Sequence, residues 1–347
     1  MKKRKYKFLK KDCIKWMKSQ SEKSIDCIVT SPPYNLKIKY GNYDDSVPRK
    51  DYLSWMGDVA NEMKRILSDD GQIFLNVGYS NIDPFVAMDV AQQFRKYFIL
   101  QNQFVWVKHI AVNNTGHGQY KPITSKRFAS VTTENIFHFT KEGKVSIDRV
   151  AIGQRNLTHP IWPELYSEGR HRAVARRKIA KRMGFTNYIE VKENATEKQK
   201  KDFHKKVEEL IKENPYNPKK KKCIGNAWFI PYTPTSRLSK ELGVKDDHNS
   251  RKNSRADHPA TFPEAVSTQC IKFSGIEKGS TVYDPFVGTG TTIVSALKLD
   301  MEAIGTDIND NYLTFAKNRV EKINYLNPNK DKEKENSHGD SQTNLVF

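Results

Sequence analysis

The sequence predicts an α/β protein: a Rossmann-like, doubly wound, mostly parallel sheet with an antiparallel edge strand, interrupted by an inserted basic domain. Three observations predict it. Short apolar runs alternate with segments of helical period at both ends of the chain, which implies βαβ units. A glycine turn follows one apolar run near the C-terminus. Between residues 149 and 222 the composition shifts to Lys, Arg, Asn and Pro, with few strand patterns.

Taken in order, residues 6–9 read as a strand, and Asp12 is placed to cap a short helix ending at Met17. Residues 25–29 form the second strand. Leu53, Met56, Val59, Met63, Ile66 and Leu67 fall at helical spacing. Asp69-Asp70-Gly71 reads as the break after that helix, and residues 72–77 as the next strand. A helix over 83–97, a strand over 98–107 and the edge strand over 131–140 follow. The insertion carries Arg170-His171-Arg172, Arg176-Arg177-Lys178, Lys181-Arg182 and the lysine run 219–222. A long polar helix is expected over 196–213, and Trp162, Tyr166 and Tyr188 are candidates for a small core there. Alternation then resumes with a strand over 281–284, a tight loop at 288–290, a helix over 291–299, a strand over 302–307 and a helix over 311–323. The charged tail from Asn327 has little to bury and is expected to be disordered. The expected division is a catalytic half over 1–145, the insertion over 146–255, a second half over 256–326 and a tail over 327–347.

A length of 347 residues suits two domains, or one large α/β domain with an insertion. The net charge of +19 points to a polyanionic partner without choosing between DNA, RNA and an anionic membrane surface. The 4 cysteines are scattered and form neither a disulfide framework nor a zinc pattern. Met-Lys-Lys-Arg-Lys at the start is followed by Tyr6-Lys7-Phe8-Leu9-Lys10-Lys11-Asp12, with no apolar stretch. No segment approaches the ~18 apolar residues of a membrane span. The expectation is a soluble, cytoplasmic protein.

Two loops carry the chemistry. Asp284-Pro285-Phe286-Val287-Gly288-Thr289-Gly290-Thr291-Thr292 lies between a strand and a helix, where glycines let the backbone approach a ligand. It lacks the lysine of a P-loop, and Ile293 stands where a dinucleotide fingerprint needs its third glycine. Asp307, after the next strand, lies at about the distance expected for an acid that binds ribose hydroxyls. A glycine turn that merely packs helix on sheet, with Asp307 as a helix cap, also fits these residues. The second loop, Thr30-Ser31-Pro32-Pro33-Tyr34-Asn35, stands at the carboxyl end of a buried strand, where open α/β sheets bind ligands. Its prolines lack N–H groups, leaving nearby carbonyls free to accept protons from an amine. Ser31 adds a hydroxyl, and Tyr34 a flat face for a base. An ordinary turn is the alternative for this hexapeptide alone.

Together with His258-Pro259-Ala260-Thr261-Phe262-Pro263, these loops resemble three signature motifs of the DNA amino-methyltransferases. The order, catalytic loop first and glycine loop second across a basic insertion, resembles the circularly permuted β class. It argues against protein-glutamine methyltransferases, whose similar Asn-Pro-Pro-Tyr loop follows the glycine loop. The resemblance implies the doubly wound methyltransferase fold and S-adenosyl-L-methionine as cofactor. Asp284, Phe286, Gly288 and Gly290 would line its methionine end, Asp307 its ribose, and Asp12 its adenine. Thr261, Phe262 and Pro263 would close over the pocket, and Thr30, Pro285, Thr291 and Thr292 complete the set.

Ser31, Pro32, Pro33 and Tyr34 would form the catalytic loop. In it the Ser31 hydroxyl and the Pro32 carbonyl would accept the amino protons of a flipped base stacked on Tyr34. Transfer would be a direct in-line displacement without a metal. Cys27 lies within a strand, away from the Pro-Pro turn, which excludes it as the nucleophile of a cytosine-C5 enzyme. In the family, Ser-Pro-Pro-Tyr goes mainly with cytosine N4 and Asp-Pro-Pro-Tyr with adenine N6. Cytosine N4 is therefore expected, with adenine N6 as the alternative. An RNA methyltransferase and a non-catalytic nucleic-acid-binding protein of the same fold stay open. The expected partner is double-stranded DNA, contacted by a target-recognition insertion through Arg170, Arg172, Arg176, Arg177 and Lys178, although a solvated helix face also explains any one of these. A separately acting cognate restriction endonuclease is a further expected partner, with the chain working as a monomer or homodimer.

Overall fold

The structure is a computed structural model. It describes residues 5–37, 39–40, 43–108, 110–112, 115–117, 126–152, 154–155, 168–213, 221–222, 225–232 and 262–322. Thr261, Trp162, Tyr166, the lysines 219–220 and the tail from 327 lie outside these residues. The chain divides into two compact units, one within residues 1–152 and 224–345 and the other within 153–223.

The larger unit holds an eight-stranded sheet. Its strands are β1 (Tyr6–Lys10), β2 (Ile25–Thr30), β3 (Leu67–Val77), β4 (Ile99–Val107), β5 (Thr133–Thr140), β6 (Ala227–Phe229), β7 (Thr281–Asp284) and β8 (Glu302–Asp307). The helices, in chain order, are α1 (Cys13–Lys18), α2 (Arg49–Ile66), α3 (Val86–Phe94), α4 (Glu168–Arg182), α5 (Tyr188–Asn194), α6 (Glu197–Glu213), α7 (Glu264–Ser274), α8 (Thr291–Lys298) and α9 (Asp310–Lys322). The strands stand in the order β1-β8-β7-β2-β3-β5-β4-β6, and only the pairings of β5 are antiparallel.

Strand side chains alternate between two apolar layers, as a sheet covered on both faces requires. Ile73, Leu75 and Val77 of β3 join Trp16, Met56, Met63 and Val90 from α1 to α3 on one face. Phe74 joins Val266, Ile271, Ile293 and Leu313 from α7 to α9 on the other. This is the doubly wound fold that the alternation of elements predicts.

In three places the structure departs from the sequence reading. The antiparallel strand is not at the edge: β5 lies inside the sheet, between β3 and β4. The edge beyond β4 is taken by β6, a strand of three residues within the stretch read as insertion. Its Trp228 is fully buried and stacks on Phe104 at 4.3 Å, so one aromatic anchors a strand too short to show a period. Second, Asp69-Asp70-Gly71 does not end the helix before a strand; β3 starts at Leu67 and runs through it. Leu67 pairs with Ile25 and Gln72 with Cys27, so residues 68–71 bulge opposite the single Asp26. Third, α3 spans Val86–Phe94 alone, because residues 80–83 turn on themselves ahead of Pro84.

The smaller unit has helices α4 to α6 around Ala175, Ile179, Val191, Phe203 and Val207. Tyr188 stacks on Phe203 at 5.5 Å, so it belongs to this core as the sequence suggests.

Candidate active site

Every parallel strand of the sheet ends on one edge, where the antiparallel β5 begins. The register pairs Lys10 with Asp307, Thr30 with Leu75, Val77 with Asn135 and Val107 with Thr133. This edge collects the two loops singled out by sequence.

In the first, Asp284 is 2% exposed. Its Oδ1 accepts from Thr30 Oγ1 at 2.7 Å and the Phe286 N–H at 3.0 Å, and its Oδ2 accepts from Thr292 Oγ1 at 2.6 Å. Burial pushes its carboxyl up to about 6, against the pull of these three donors. The Thr30 bond joins the Ser-Pro-Pro-Tyr loop to the glycine loop across 254 residues of sequence.

Gly288 and Gly290 have φ of 47° and 81°. A Cβ on Gly290 would lie 2.9 Å from the Ala316 Cβ, so both conformation and space require glycine there. Asp307 Oδ2 accepts from the Gly288 N–H at 3.0 Å and its Oδ1 from the Asn309 N–H at 2.8 Å. Burial raises its carboxyl also. Asp307 thus ties the glycine loop to β8 and keeps further lone pairs on both oxygens. Asp12 caps α1 through the Lys15 N–H at 2.9 Å, beside Asp307, whose carbonyl takes the Lys11 N–H at 3.1 Å.

The other predicted residues of this half have structural partners. Pro285 accepts from Thr306 Oγ1, and Phe286 stands edge-on to Trp55. Thr291 Oγ1 accepts from Arg319, and Thr292 is fully buried. Phe262 packs on the core and Pro263 precedes α7.

The second loop is held at both ends. Tyr52 donates to the Pro33 carbonyl at 2.7 Å, and the buried Asp45 accepts from the Asn35 and Leu36 N–H groups at 2.8 and 2.9 Å. Asn35 takes a φ of 56°, a left-handed conformation that Asn tolerates better than most residues. Among the described residues none donates to the Pro32 carbonyl.

Ser31 Oγ lies 2.7 Å from the Tyr34 hydroxyl, which donates to Glu134 Oε2 at 3.1 Å. Asn76 Nδ2 donates to the same hydroxyl at 2.8 Å and to Glu134 Oε2 at 2.7 Å, and lies 3.5 Å from Ser31 Oγ. Lys108 Nζ pairs with Glu134 Oε1 at 3.0 Å, with both side chains largely buried. Among the described residues Asn76 Oδ1 is buried without a partner.

Because Tyr34 gives its single proton to Glu134, the proton between Ser31 and Tyr34 belongs to Ser31. Ser31 Oγ therefore keeps lone pairs for an incoming donor. Tyr34 itself is only 6% exposed, and its ring lies so close to Gly78 that a Cβ added there would stand 2.7 Å from it. In this structure its hydroxyl, more than an open ring face, is what it brings to the site.

Asn76, Lys108 and Glu134 were not found from sequence. Asn76 is the single polar residue in Ile73-Phe74-Leu75-Asn76-Val77, and that is the signal that marks it. Cys27 is fully buried and its thiol is pushed up to about 12 by burial, consistent with its exclusion as a nucleophile. Among the described residues no three His, Cys, Asp or Glu side chains are grouped to hold a metal ion, and no helix is long and apolar enough to cross a membrane.

In the smaller unit, Arg172 is ion-paired to Glu208 and the Arg176 guanidinium lies 4.8 Å over the Tyr188 ring. Arg177 and Lys178 are exposed, and the Arg170 side chain lies outside the described set.

A doubly wound sheet with acidic and glycine elements on one side of its edge and a Ser-Pro-Pro-Tyr loop on the other has the fold of the S-adenosylmethionine-dependent methyltransferases. The "DNA methylase" family (N6_N4_Mtase) matches residues 25–318, and the chain belongs to that family. Among curated relatives, the type II methyltransferase M.HpaI of Haemophilus parainfluenzae is 25% identical over 313 residues, covering 89% of this chain and 72% of that one. The DNA adenine methyltransferase YhdJ of Escherichia coli is 22% identical over 310 residues, covering 89% and 81%. Among solved structures, the cytosine-N4-specific PvuII DNA methyltransferase matches with a TM-score of 0.57 at 16% identity, covering 96% of this chain and 92% of that one.

Family and fold define the cofactor as S-adenosyl-L-methionine. The residues present fit it. Asp307 keeps acceptor capacity suited to sugar hydroxyls beside a backbone that bends through two glycines of positive φ.

Proposed function

We propose that the chain methylates the N4 amino group of a cytosine flipped out of double-stranded DNA, at a specific site. The observation that carries the reading is the chain of short contacts from Ser31 through the Tyr34 hydroxyl to the Glu134 carboxylate, which as an acceptor takes the Tyr34 proton and leaves Ser31 its own. An exocyclic amine is a poor nucleophile because its lone pair is delocalised into the ring. Two acceptors on its protons draw the nitrogen toward tetrahedral geometry and free that lone pair. Ser31 Oγ and the Pro32 carbonyl are such acceptors, and Asn76 and Glu134 hold Ser31 in the accepting orientation. The cofactor supplies a methyl group on a sulfonium, open to in-line attack. Positioning and charge placement carry the acceleration. Tyr34 would support the flipped base with the little ring surface it leaves uncovered.

Asp284, Phe286, Gly288 and Gly290 would face the methionine end of the cofactor, Asp307 its ribose and Asp12 its adenine, with Phe262 and Pro263 over the pocket. The unit within 153–223 is taken as the core of the target-recognition domain, with Arg177 and Lys178 its free phosphate contacts. A separate restriction endonuclease of the same specificity fits the type II names of the relatives. Cytosine rests on Ser31; adenine N6 is the second reading, favoured by the adenine-specific name of one relative.

The test is mass spectrometry of nucleosides from duplex DNA incubated with the protein and cofactor. N4-methylcytosine is expected with the wild type and none with Ser31→Ala. N6-methyladenine alone overturns the choice of base, and methylation of structured RNA but not DNA overturns the substrate.

A further inference from the structure

The turn that follows β3 carries Ile82 at its tip, 94% exposed. A fully exposed isoleucine in a mobile loop means little, but this turn is pinned from several sides. Ser80 N–H donates to the Asp83 carbonyl at 3.2 Å, and the Asp83 N–H donates to Ser80 Oγ at 3.1 Å. Asp83 is ion-paired to Arg49 of α2. Asn81 Nδ2 donates to the Ala129 carbonyl at 3.0 Å, tying the turn to the segment 126–130. That segment exposes Lys126 and Arg127 beside Phe128, and the Arg127 guanidinium lies 5.3 Å over the Phe128 ring. Phe85 and Met88 add exposed apolar surface just beyond Ile82.

The place matters as much as the shape. Tyr79, where the turn begins, shares a hydrogen bond of 2.9 Å with Thr133, the neighbour of Glu134 in the Ser31 network. Ile82 lies three residue steps beyond Tyr79, at most about 10 Å of extended chain. A rigid apolar tip flanked by exposed cations therefore stands beside the point where an extruded base must enter.

We propose that Ile82 is a wedge that enters the duplex and fills the space left by the flipped base, while Lys126 and Arg127 hold the adjacent phosphates. Extruding a base from a stack leaves an apolar gap, and an inserted aliphatic side chain compensates the lost stacking. The charge on the neighbouring segment favours DNA over a second protein as the occupant. This inference rests on the proposed action on a flipped base in duplex DNA.

The experiment compares the full-length wild type with Ile82→Ala and Ile82→Leu on two duplexes carrying the methylated site. In one the target base is correctly paired; in the other it lies opposite an abasic site, so extrusion costs little. Ile82→Ala is expected to lose about tenfold in kcat/KM on the paired duplex, a change of about 1.4 kcal/mol. On the abasic duplex it should stay within about twofold of wild type, and Ile82→Leu should retain activity on both. A parallel arm reads 2-aminopurine at the target position: its fluorescence should rise on wild-type binding and rise less with Ile82→Ala. This arm needs binding alone, so it tests the wedge even if no methyl transfer occurs, and an inactive wild type counts against the proposed function instead. Equal losses on both duplexes, or none on either, overturn the wedge. So does a shift of the free protein from dimer to monomer in sedimentation on substituting Ile82, which marks the turn as an interface between copies of this chain.

Discussion

Tyr34→Phe isolates the directed network at the site, because it removes one hydroxyl and keeps the ring packed on Gly78. Three hydrogen bonds disappear, to Ser31, Glu134 and Asn76. Asn76 keeps its bond to Glu134 at 2.7 Å, and Glu134 keeps Lys108 at 3.0 Å, so no charged group is stranded. Only Ser31 loses its sole short partner. With most groups still satisfied and each neutral bond worth a net ~1 kcal/mol, the variant should lose about 1–2 kcal/mol of stability, read as a shift in the guanidinium midpoint at unchanged slope. The functional effect has a separate cause. Once Tyr34 no longer takes it, the Ser31 proton turns freely and competes with the amino proton that Ser31 must accept. Direct removal of a charge-stabilising hydrogen bond in an enzyme site costs about 100- to 1000-fold in rate, and this indirect loss should reach about 10- to 100-fold. The assay is single-turnover methyl transfer with protein in excess over DNA and saturating cofactor. Cofactor affinity by calorimetry should stay within about twofold, since the Asp284 and Asp307 bonds are untouched. If the single-turnover rate also stays within about twofold while stability falls as expected, the hydroxyl only braces the loop and the directed-proton argument is wrong.

Two further predictions concern pH and salt. Burial lowers His138 from 6.5 to about 4, so its contribution to stability is present above pH 6.5 and lost as pH falls toward 4, whereas Asp284, raised from 3.8 to about 6, contributes below pH 3.8 and loses it as pH rises through 6. The two slopes oppose each other between about pH 4 and 6, where the raised Asp307 acts in the same sense as Asp284. Asp284→Asn should therefore shift the pH dependence of stability there toward a rise with pH relative to the wild type, read from denaturation curves at a series of pH values; the same pH dependence for both proteins counts against it. Replacing Arg177 and Lys178 together by Ala should lower the slope of log affinity for DNA against log salt by about 1.8 if each neutralises one phosphate. Arg172→Ala and Arg176→Ala should instead lower the stability of the smaller unit, where both side chains are already engaged; an unchanged salt slope for the double variant removes Arg177 and Lys178 from the interface.

The fold was legible wherever an element carries its own period or punctuation. The strand β2, the helix α2 and the run from β7 through α9 were all read within a few residues of their bounds, because their apolar spacing or their glycines are local signals. The helix α1 was found through its cap, Asp12, whose side chain does accept from Lys15. What failed was non-local. The bulge at residues 68–71 looks like a loop in sequence and belongs to a strand only because its flanks, Leu67 and Gln72, pair with β2. β6 is too short for any period, and only the burial of Trp228 and its pairing with β4 reveal it.

The same limit explains both the misplaced strand and the missed half of the Ser31 network. Ser31, Pro32 and Tyr34 are consecutive enough to be seen as a motif, yet what gives Ser31 its chemistry comes from Asn76, Lys108 and Glu134. Those three lie at the ends or start of β3, β4 and β5. With β5 at the edge, beyond β4, Glu134 would stand a strand away from Asn76, out of reach of the Tyr34 hydroxyl. Inserted between β3 and β4, with Val77 paired to Asn135 and Val107 to Thr133, it brings a carboxylate from one strand and an amide from the strand on one side onto one phenol, and an ammonium from the strand on the other side onto that carboxylate. An antiparallel strand is what this needs, because only such a strand offers its first residues at the edge where all the parallel strands offer their last. On the proposed chemistry the position of β5 thus has a consequence: it would set the direction of the proton on Ser31, and with it whether that hydroxyl meets an amine as acceptor or as competitor.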